Sequence, residues 1–261
     1  MRRRPAPPKD RPRDPPVRAR ALRAMNASGV PYTVAGAYAL REYAGIVRDT
    51  KDLDLFVRRV DVAATLRVLR RAGFRTELTD PVWLAKGFAR SGEYVDVIFS
   101  SGNGVAAVDD EWIARARDAE VLGEPSRVAS PEDIIWSKAF VCERERYDGA
   151  DVNHVLRFCG HLIDWRRLAR RFQPYPAVLL SHLVLFRFAF PADAHKVPTW
   201  LLDRLYARCR REPPAADEPL CRGTLLSRSQ YAIDLRLGLR DARDAEVTDW
   251  QEHREPSATL H

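Results

Sequence analysis

The segment Asp52-Leu53-Asp54-Leu55 constrains the fold more than any other part of this 261-residue chain. Polar and apolar residues alternate in it with the period of two that is typical of a half-buried β-strand. Because successive side chains of a strand point to opposite faces, Asp52 and Asp54 share one face, whereas Leu53 and Leu55 face the core. The sequence therefore predicts a strand that presents two carboxylates side by side.

A second strand with the same pattern is predicted at residues 93–99, where Asp96 lies between Val95 and Val97. If the two strands are neighbours, three carboxylates converge, and such a cluster is costly unless cations neutralise it. Hard oxygen ligands favour Mg²⁺ or Mn²⁺, and two such ions can act together in phosphoryl transfer. An ordinary solvent-facing strand edge is the alternative interpretation of the Asp-x-Asp pattern. The expected metal ligands and catalytic residues are Asp52, Asp54 and Asp96.

Residues around this strand have the chemistry of a phosphate site. Residues 31–36 are predicted to form a short buried strand, and a helix is predicted at 37–44, opening directly from Gly36. The unpaired amides at a helix N-terminus can bind phosphate groups. Cationic and hydroxyl side chains also precede the first aspartate. The residues expected to contact a nucleotide here are Gly36, Ala37, Arg48, Thr50 and Lys51.

The remaining pattern predicts an α+β fold, with a mixed β-sheet core flanked by helices and followed by a C-terminal helical subdomain. A helix at 60–73 and further strands at 74–78 and 82–89 complete the first half, and the pattern becomes helical from Trp112 onward. The helices expected in the second half lie near residues 131–145, 150–160, 164–172, 176–190 and 197–211. Five of its aromatic residues are expected to pack in the core rather than to stack on bases: Trp165, Phe172, Phe186, Phe188 and Trp200.

Composition divides the chain into four parts. The net charge of +7 comes from residues 1–24, which leaves 34 basic and 34 acidic residues in the rest. A Pro- and Arg-rich segment with few apolar groups cannot offset its chain entropy, so we expect a disordered basic arm. The predicted parts are this arm at 1–16, an α+β core at 17–128, a helical domain at 129–239 and a flexible acidic tail at 240–261.

The four cysteines lie far apart, without the C-x-x-C pairs of a zinc site or the spacing of a disulfide framework. The N-terminus has no apolar segment behind its charges, and no apolar run reaches about 18 residues. We therefore expect a cytoplasmic protein that does not act at a membrane. The oligomeric state is not indicated by the sequence.

Three segments together resemble the DNA polymerase beta-like nucleotidyltransferase superfamily: Val34-Ala35-Gly36-Ala37, then residues 48–55, then Val95-Asp96-Val97. Within it, the chain is similar to a small bacterial branch akin to minimal nucleotidyltransferases and abortive-infection toxin nucleotidyltransferases. The resemblance implies that Asp52 and Asp54 bind metal, that Asp96 holds the catalytic ion and helps to deprotonate the acceptor, and that Gly36 contacts the triphosphate. The chain departs from the family at Ala37, where Gly or Ser is usual.

A second group of charged residues lies in the helical half, at Lys138, Arg144, Asp148 and Asp151. The resemblance to the toxin branch implies that Lys138 contacts the triphosphate or base. It also implies that Asp148 and Asp151 bind metal or position an acceptor. The alternative is a solvated helix end with arginine–aspartate pairs.

The sequence thus predicts an enzyme that transfers a nucleoside monophosphate from a nucleoside triphosphate such as ATP to an acceptor, with release of pyrophosphate. The acceptor is left open between a tRNA, a protein and a small molecule, and a toxin or defence role is implied by the resemblance alone. Two alternatives belong to other classes. One is a catalytically weak, antitoxin-like nucleotide-binding partner, and the other is a nucleic-acid binder that works through the basic arm.

Overall fold

The fold is described from a computed structural model, which covers residues 16–50, 52–211 and 219–243. The predicted arm, apart from Pro16, and most of the predicted tail lie outside these ranges, as does Lys51. In the ranges described, no helix is both long enough and apolar enough to cross a membrane.

Strands and helices alternate in the first half of the chain, and helices dominate the second half. The strands are β1 (Thr33–Val34), β2 (Asp52–Phe56), β3 (Arg75–Asp80), β4 (Leu84–Phe88), β5 (Tyr94–Ile98), β6 (Arg117–Val121), β7 (Glu124–Val128), β8 (Leu220–Cys221) and β9 (Arg240–Asp241). The helices are α1 (Val17–Ser28), α2 (Gly36–Ala44), α3 (Val62–Arg71), α4 (Asp110–Arg115), α5 (Pro131–Lys138), α6 (Gly149–Cys159), α7 (Trp165–Arg171), α8 (Pro176–Ala189), α9 (Thr199–Arg211) and α10 (Ala232–Arg236).

Seven strands form one mixed sheet in the order β3-β4-β5-β2-β1-β7-β6. The β1–β7 and β2–β5 pairs are parallel, and the remaining neighbours are antiparallel. Helices flank the sheet, with α1 packed on α3 and β7 while α2 packs on α6 and β2. This arrangement confirms the predicted fold class of a mixed sheet flanked by helices.

Alternation along β2 and β5 sorts their side chains as the sequence predicts. Leu53, Leu55, Val95 and Val97 are fully buried, while the aspartates between them face the other side of the sheet. Burial of such apolar side chains contributes roughly 1.5 to 3 kcal/mol for each one relative to exposure. The apolar face therefore fixes the register of both strands, because a slip of one residue would bury the carboxylates.

The helical pattern expected from Trp112 onward is wrong for residues 117–128. The helix α4 ends at Arg115, and β6 and β7 form a hairpin on the edge of the sheet. Its two-residue loop is Leu122-Gly123, and both residues have positive φ, 55° and 78°. Such a loop favours the hairpin twist, and a leucine in this conformation gives no turn signal in the sequence.

The helix expected at 131–145 begins as predicted and ends early. Ser130 caps α5 by accepting a hydrogen bond from the Asp133 amide, with Pro131 at the first turn. After Lys138, however, the chain turns: the Asp148 amide donates to the Val141 carbonyl at 3.1 Å, which closes a loop over residues 141–148. This loop brings charged residues back beside the end of α5.

Two further expectations for the second half of the chain need correction. The predicted tail starts too early, because Arg240 pairs with Leu220 in the small parallel β8–β9 sheet. Phe172 and Phe186 are fully buried as expected. Phe188 and Trp200, in contrast, are 85% and 43% exposed, so these two do not belong to the core.

Candidate active site

Three carboxylates converge on the polar face of β2 and β5. In the parallel register of these strands, Asp54 lies directly opposite Asp96, and Asp52 lies one side-chain step away on the same face. Asp52, Asp54 and Asp96 each offer a carboxylate oxygen, and these oxygens all lie within 4.8 Å of one another. The structure thus brings together the three residues that the sequence proposes as metal ligands.

The charge on this cluster is only partly compensated. Burial, followed by the charges of Asp52 and Asp96, raises the pKa of Asp54 from 3.8 to about 7. Burial also raises the pKa of Asp96, although Lys86 acts in the opposite direction. A site that disfavours its own ionised carboxylates gains when a cation binds.

Lys86 is a contact of this cluster that the sequence analysis missed. It lies opposite Asp96 in the antiparallel β4–β5 register, and its Nζ donates to Asp96 Oδ1 at 2.6 Å. The ammonium also lies 4.5 Å from the centre of the Tyr94 ring. The sequence contained one signal for this contact. Lys86 lies between Ala85 and Gly87 in the strand predicted at 82–89, so the alternation of side chains places its charge on the polar face of that strand.

Gly36 begins α2 directly against Asp54. Its φ is +59°, and a Cβ atom at this position would lie only 1.6 Å from Asp54 Oδ2. The Ala35 amide donates to the Asp54 carbonyl at 3.2 Å, so the chain before α2 is tied to the same residue. Glycine is thus required here by both conformation and space, while the neighbouring Ala37 is half-buried and carries no hydroxyl.

The loop before β2 contacts the cluster through the side chain of Thr50. The Thr50 hydroxyl donates to Asp52 Oδ1, and Arg18 donates to the Thr50 carbonyl at 2.6 Å. Arg48 does not join these residues, since its guanidinium pairs with Asp151 in α6. Lys51 lies outside the described residues. Of the residues expected to contact a nucleotide upstream of the first aspartate, Thr50 is therefore next to the carboxylates, whereas Arg48 is paired with α6.

The second charged cluster is an ion-pair network at the end of α5. Lys138 Nζ lies 2.8 Å from Asp148 Oδ2 and 2.9 Å from Asp151 Oδ2. Arg146 also pairs with Asp148, at 3.1 Å. Although burial opposes the effect, bonds to Arg146 and Lys138 lower the pKa of Asp148. Arg144 is not part of the network, because its exposed side chain pairs only weakly with the neighbouring Glu145 at 3.4 Å.

In the same way, the pKa of Asp151 is lowered by Arg48 and Lys138 against the effect of burial. Each acid of the network therefore carries a negative charge that cations already balance. The arginine–aspartate pairing that the sequence left as an alternative is present here, and it ties the loop before β2 to α6.

A cavity of about 400 Å³ separates the two clusters. Gly36 and Asp54 line one side, Lys138 and Asp148 line another, and the chain after β8 closes a third. The sequence analysis missed this third wall, which is held by a hydrogen bond of 2.8 Å from Asn103 to the Leu225 carbonyl. The remaining contributors to the third wall and its neighbouring loop include Ser100, Ser101, Gly102, Thr224, Leu226, Ser227, Arg228 and Arg243.

The donor set fits a hard divalent cation. All three groups are carboxylates, and their oxygens are close enough to share an ion. The pKa of Asp54 is raised by burial and by the neighbouring charges of Asp52 and Asp96, and a bound cation would oppose both effects. Nitrogen and sulfur ligands, which soft or borderline metals prefer, are not part of the cluster among the described residues. Asp52, Asp54 and Asp96 are thus the residues that would hold a metal.

No curated protein sequence matches the chain. Several solved structures resemble it, among them the following three. The antibiotic-resistance factor ANT(2'')-Ia is 20% identical, with 64% of this chain and 94% of that chain covered and a TM-score of 0.43. The lincosamide antibiotic adenylyltransferase LnuA is 13% identical, with coverage of 51% and 90% and a TM-score of 0.37. JHP933 from Helicobacter pylori is 13% identical, with coverage of 85% and 95% and a TM-score of 0.37.

A protein-family model also matches the chain, and it agrees with the resemblance noted in the sequence. It spans β1, β2 and β5, which carry the carboxylates and the glycine turn, and it continues into α8. Residues 17–183 match the model of the family described as nucleotidyl transferase of unknown function (DUF2204), and the chain belongs to this nucleotidyl transferase family.

Proposed function

We propose that the protein is a metal-dependent nucleotidyltransferase that moves a nucleoside monophosphate from a nucleoside triphosphate to an acceptor hydroxyl. The convergence of Asp52, Asp54 and Asp96 beside the 400 Å³ cavity is the observation that carries this proposal. A cluster of three carboxylates at the wall of a cleft is a costly arrangement unless cations and phosphates offset its charge. Membership of a nucleotidyl transferase family supports nucleotide transfer in general.

Each residue then has a chemical task. Asp52, Asp54 and Asp96 would hold Mg²⁺ or Mn²⁺, with two ions expected from the resemblance, and the metal would neutralise triphosphate charge. The amides that open α2 at Gly36 would bind phosphate oxygens, because they have no partner within the helix. Lys138, on the opposite wall, would exchange one of its two aspartate contacts for a phosphate oxygen.

The reaction would be an in-line displacement at the α-phosphorus. The acceptor oxygen forms a bond to this phosphorus as the bond to the bridging oxygen breaks, and pyrophosphate leaves with the electron pair. Asp96 would take the proton of the acceptor hydroxyl, since burial raises its pKa toward the working range of a general base. The acceptor classes that remain are a tRNA end, a protein side chain and a small molecule, and the toxin or defence role stays a proposal that rests on the family resemblance.

Transfer of label from α-³²P-labelled triphosphates tests the proposal. Each of the four nucleotides is incubated with the protein, Mg²⁺ or Mn²⁺ and a cell extract, and labelled products are separated into RNA, protein and small molecules. Pyrophosphate release is measured in parallel. We expect one acceptor class to be labelled, and we expect Asp54→Asn to reduce transfer at least about a hundredfold because a metal ligand is lost.

Asp49→Asn is the matched control, because Asp49 is an exposed carboxylate of the loop before β2 and the substitution removes the same charge. It should keep wild-type transfer. Label that appears equally with wild-type protein and Asp54→Asn would contradict the proposed site. The absence of any transfer or pyrophosphate release, with triphosphate binding intact, would support the second candidate.

That second candidate is a catalytically weak nucleotide-binding partner. It is favoured by the ion pairs of two lysines, since Lys86 is bonded to Asp96 of the carboxylate cluster and Lys138, which lines the cavity, is bonded to two other acids. In that case, triphosphate would bind without reaction because neither cation is released to the phosphates.

A further inference from the structure

A second cavity, of about 530 Å³, lies between α7 and α9 in the helical half. Four arginines line it, two from each helix, and its other lining residues are apolar except for Gln173. Acidic side chains do not contribute to this lining anywhere in the part of the chain that the structure describes. The arginines are Arg166, Arg170, Arg204 and Arg208. We refer to this cavity as the arginine groove.

Helical spacing arranges these cations as two facing rows. Arg166 and Arg170 are four residues apart in α7, as are Arg204 and Arg208 in α9, so each pair lies on one helix face about 6 Å apart along the axis. The inward side of α7 is occupied by Arg167, which is only 1% exposed and bonded to Asp133. The positive rows therefore face the groove and not the core.

The charges in the groove are poorly balanced by the protein. Arg170 lies 3.7 Å from Glu111, at the long end of an ion pair. For Arg166, Arg204 and Arg208, no ion pair is made with any side chain in the described ranges. All four side chains belong to exposed residues. Like charges held across a groove repel one another, and an anion that enters between them removes this cost.

An aromatic side chain completes the groove. Trp200 precedes Arg204 by one turn on the same face of α9, lines the cavity and remains 43% exposed. An exposed indole beside guanidinium groups is the combination that holds single-stranded nucleic acid, because bases stack on the ring while phosphates pair with the arginines. Guanidinium groups also match the geometry of phosphate oxygens in two-point contacts.

We propose that the arginine groove is a binding site for single-stranded nucleic acid, in which phosphates contact the two arginine rows and a base stacks on Trp200. This site goes beyond the proposed nucleotide transfer and needs neither metal nor triphosphate. An acidic peptide would satisfy the arginines but would gain little from the indole. The role of Trp200 therefore distinguishes the two classes of ligand.

Fluorescence anisotropy of a labelled 12-nucleotide RNA of mixed sequence tests the proposal, with the full chain in EDTA and without triphosphate. We expect binding that Arg204→Glu/Arg208→Glu weakens at least tenfold. The plot of log affinity against log salt should become shallower by about 1.4, because roughly 0.7 is lost for each phosphate contact to a single strand. Trp200→Ala should weaken binding about 5- to 150-fold, whereas Trp200→Phe, which keeps an aromatic ring, should retain most of the wild-type affinity.

The matched control is Arg67→Glu/Arg71→Glu in α3. These exposed arginines have the same four-residue spacing and the same charge change, but they lie in the first half of the chain and do not line the arginine groove. The control should bind like the wild type, and circular dichroism should show that all variants are folded. A DNA 12-mer separates a preference for RNA from binding of either nucleic acid.

Three results would overturn the proposal. The first is that the wild type does not bind RNA. The second is that the two arginine double variants lose equal RNA affinity. The third is that a polyglutamate peptide binds as tightly as RNA and depends on Trp200 to the same degree. The first would exclude the site, the second would reduce it to overall charge, and the third would make it a site for acidic peptides.

Discussion

Gly36 lies so close to Asp54 that no side chain fits at residue 36, since a Cβ atom there would lie 1.6 Å from Asp54 Oδ2. Only glycine at the start of α2 therefore leaves room for the Asp54 carboxylate. A side chain at residue 36 would displace the Asp54 carboxylate from its position opposite Asp96 in the β2–β5 register.

We therefore predict that Gly36→Ala lowers nucleotide transfer at least about a hundredfold, because small displacements of a positioned group are costly in catalysis. The variant must also hold alanine at a φ of +59°, a strain of about 1 to 3 kcal/mol. Steady-state kinetics and urea denaturation measure the two effects separately.

Gly45→Ala is the control for this prediction. Gly45 ends the same helix with a φ of +65°, but a Cβ there would meet nothing within 4 Å. It should lose a similar amount of stability from backbone strain and keep nearly normal transfer. If both variants lose activity alike, strain in α2 rather than contact with Asp54 is responsible.

The raised pKa of Asp54 predicts a pH-dependent stability in the absence of metal. Between the unfolded pKa of 3.8 and the folded value of about 7, the folded state holds the Asp54 proton that the unfolded state has released. Stability should therefore fall as pH rises through this window, by on the order of 2 to 4 kcal/mol. Denaturation in EDTA from pH 4 to pH 8 measures the effect.

Asp54→Asn should remove this fall, whereas Asp118→Asn, at a carboxylate that is 97% exposed, should keep the wild-type slope. Mg²⁺ added above pH 7 should stabilise the wild type and have little effect on Asp54→Asn. Parallel pH curves for wild type and Asp54→Asn would contradict the assigned origin of the effect.

Lys86 is expected to compete with the metal. Its ammonium lies 2.6 Å from Asp96 Oδ1, where a cation bound by the three aspartates must also be close. Lys86→Met should strengthen Mn²⁺ binding by about threefold to tenfold, because an opposing charge is removed and Asp96 is released. Isothermal titration calorimetry without nucleotide measures this affinity. Lys196→Met, which breaks the ion pair with Asp193, should leave it unchanged; weaker binding by Lys86→Met would refute the competition.

The sequence could predict the central part of the site because its signal is local. A period of two places Asp52 and Asp54 on one face and gives Asp96 the same orientation between Val95 and Val97. The alternation does not, however, indicate that β2 and β5 are hydrogen-bonded neighbours. The fold confirms the expected mixed sheet, although the β6–β7 hairpin was missed because Leu122 gives no turn signal.

The contacts that join the second charged cluster and the chain after β8 to the rest of the protein could not be predicted, because they connect residues that are distant in sequence. Arg48 and Asp151 are 103 residues apart, and Asn103 and Leu225 are 122 apart. Lys138 was expected to contact nucleotide, but no local pattern indicated that it would also lie between two aspartates. Such pairings depend on how α5, α6 and the chain after β8 pack, which hydrophobic periodicity does not specify.

Arg167 and Asp133 form a buried ion pair that joins α7 to the first turn of α5, with Nη2 at 2.7 Å from Oδ2 and side-chain exposures of 1% and 0%. Removal of Arg167 leaves the buried Asp133 carboxylate with Arg171, 3.3 Å away, as its cationic partner. Arg167→Met should therefore cost about 3 kcal/mol of unfolding free energy, at the low end for a broken buried ion pair. Arg167→Met/Asp133→Leu removes both charges and should cost less than the sum of the single variants, by at least about 1 kcal/mol. Urea denaturation of all four proteins gives this coupling. Additive costs would mean that Arg167 supports α7 through packing alone, and the outward rows of the arginine groove would then not depend on this ion pair.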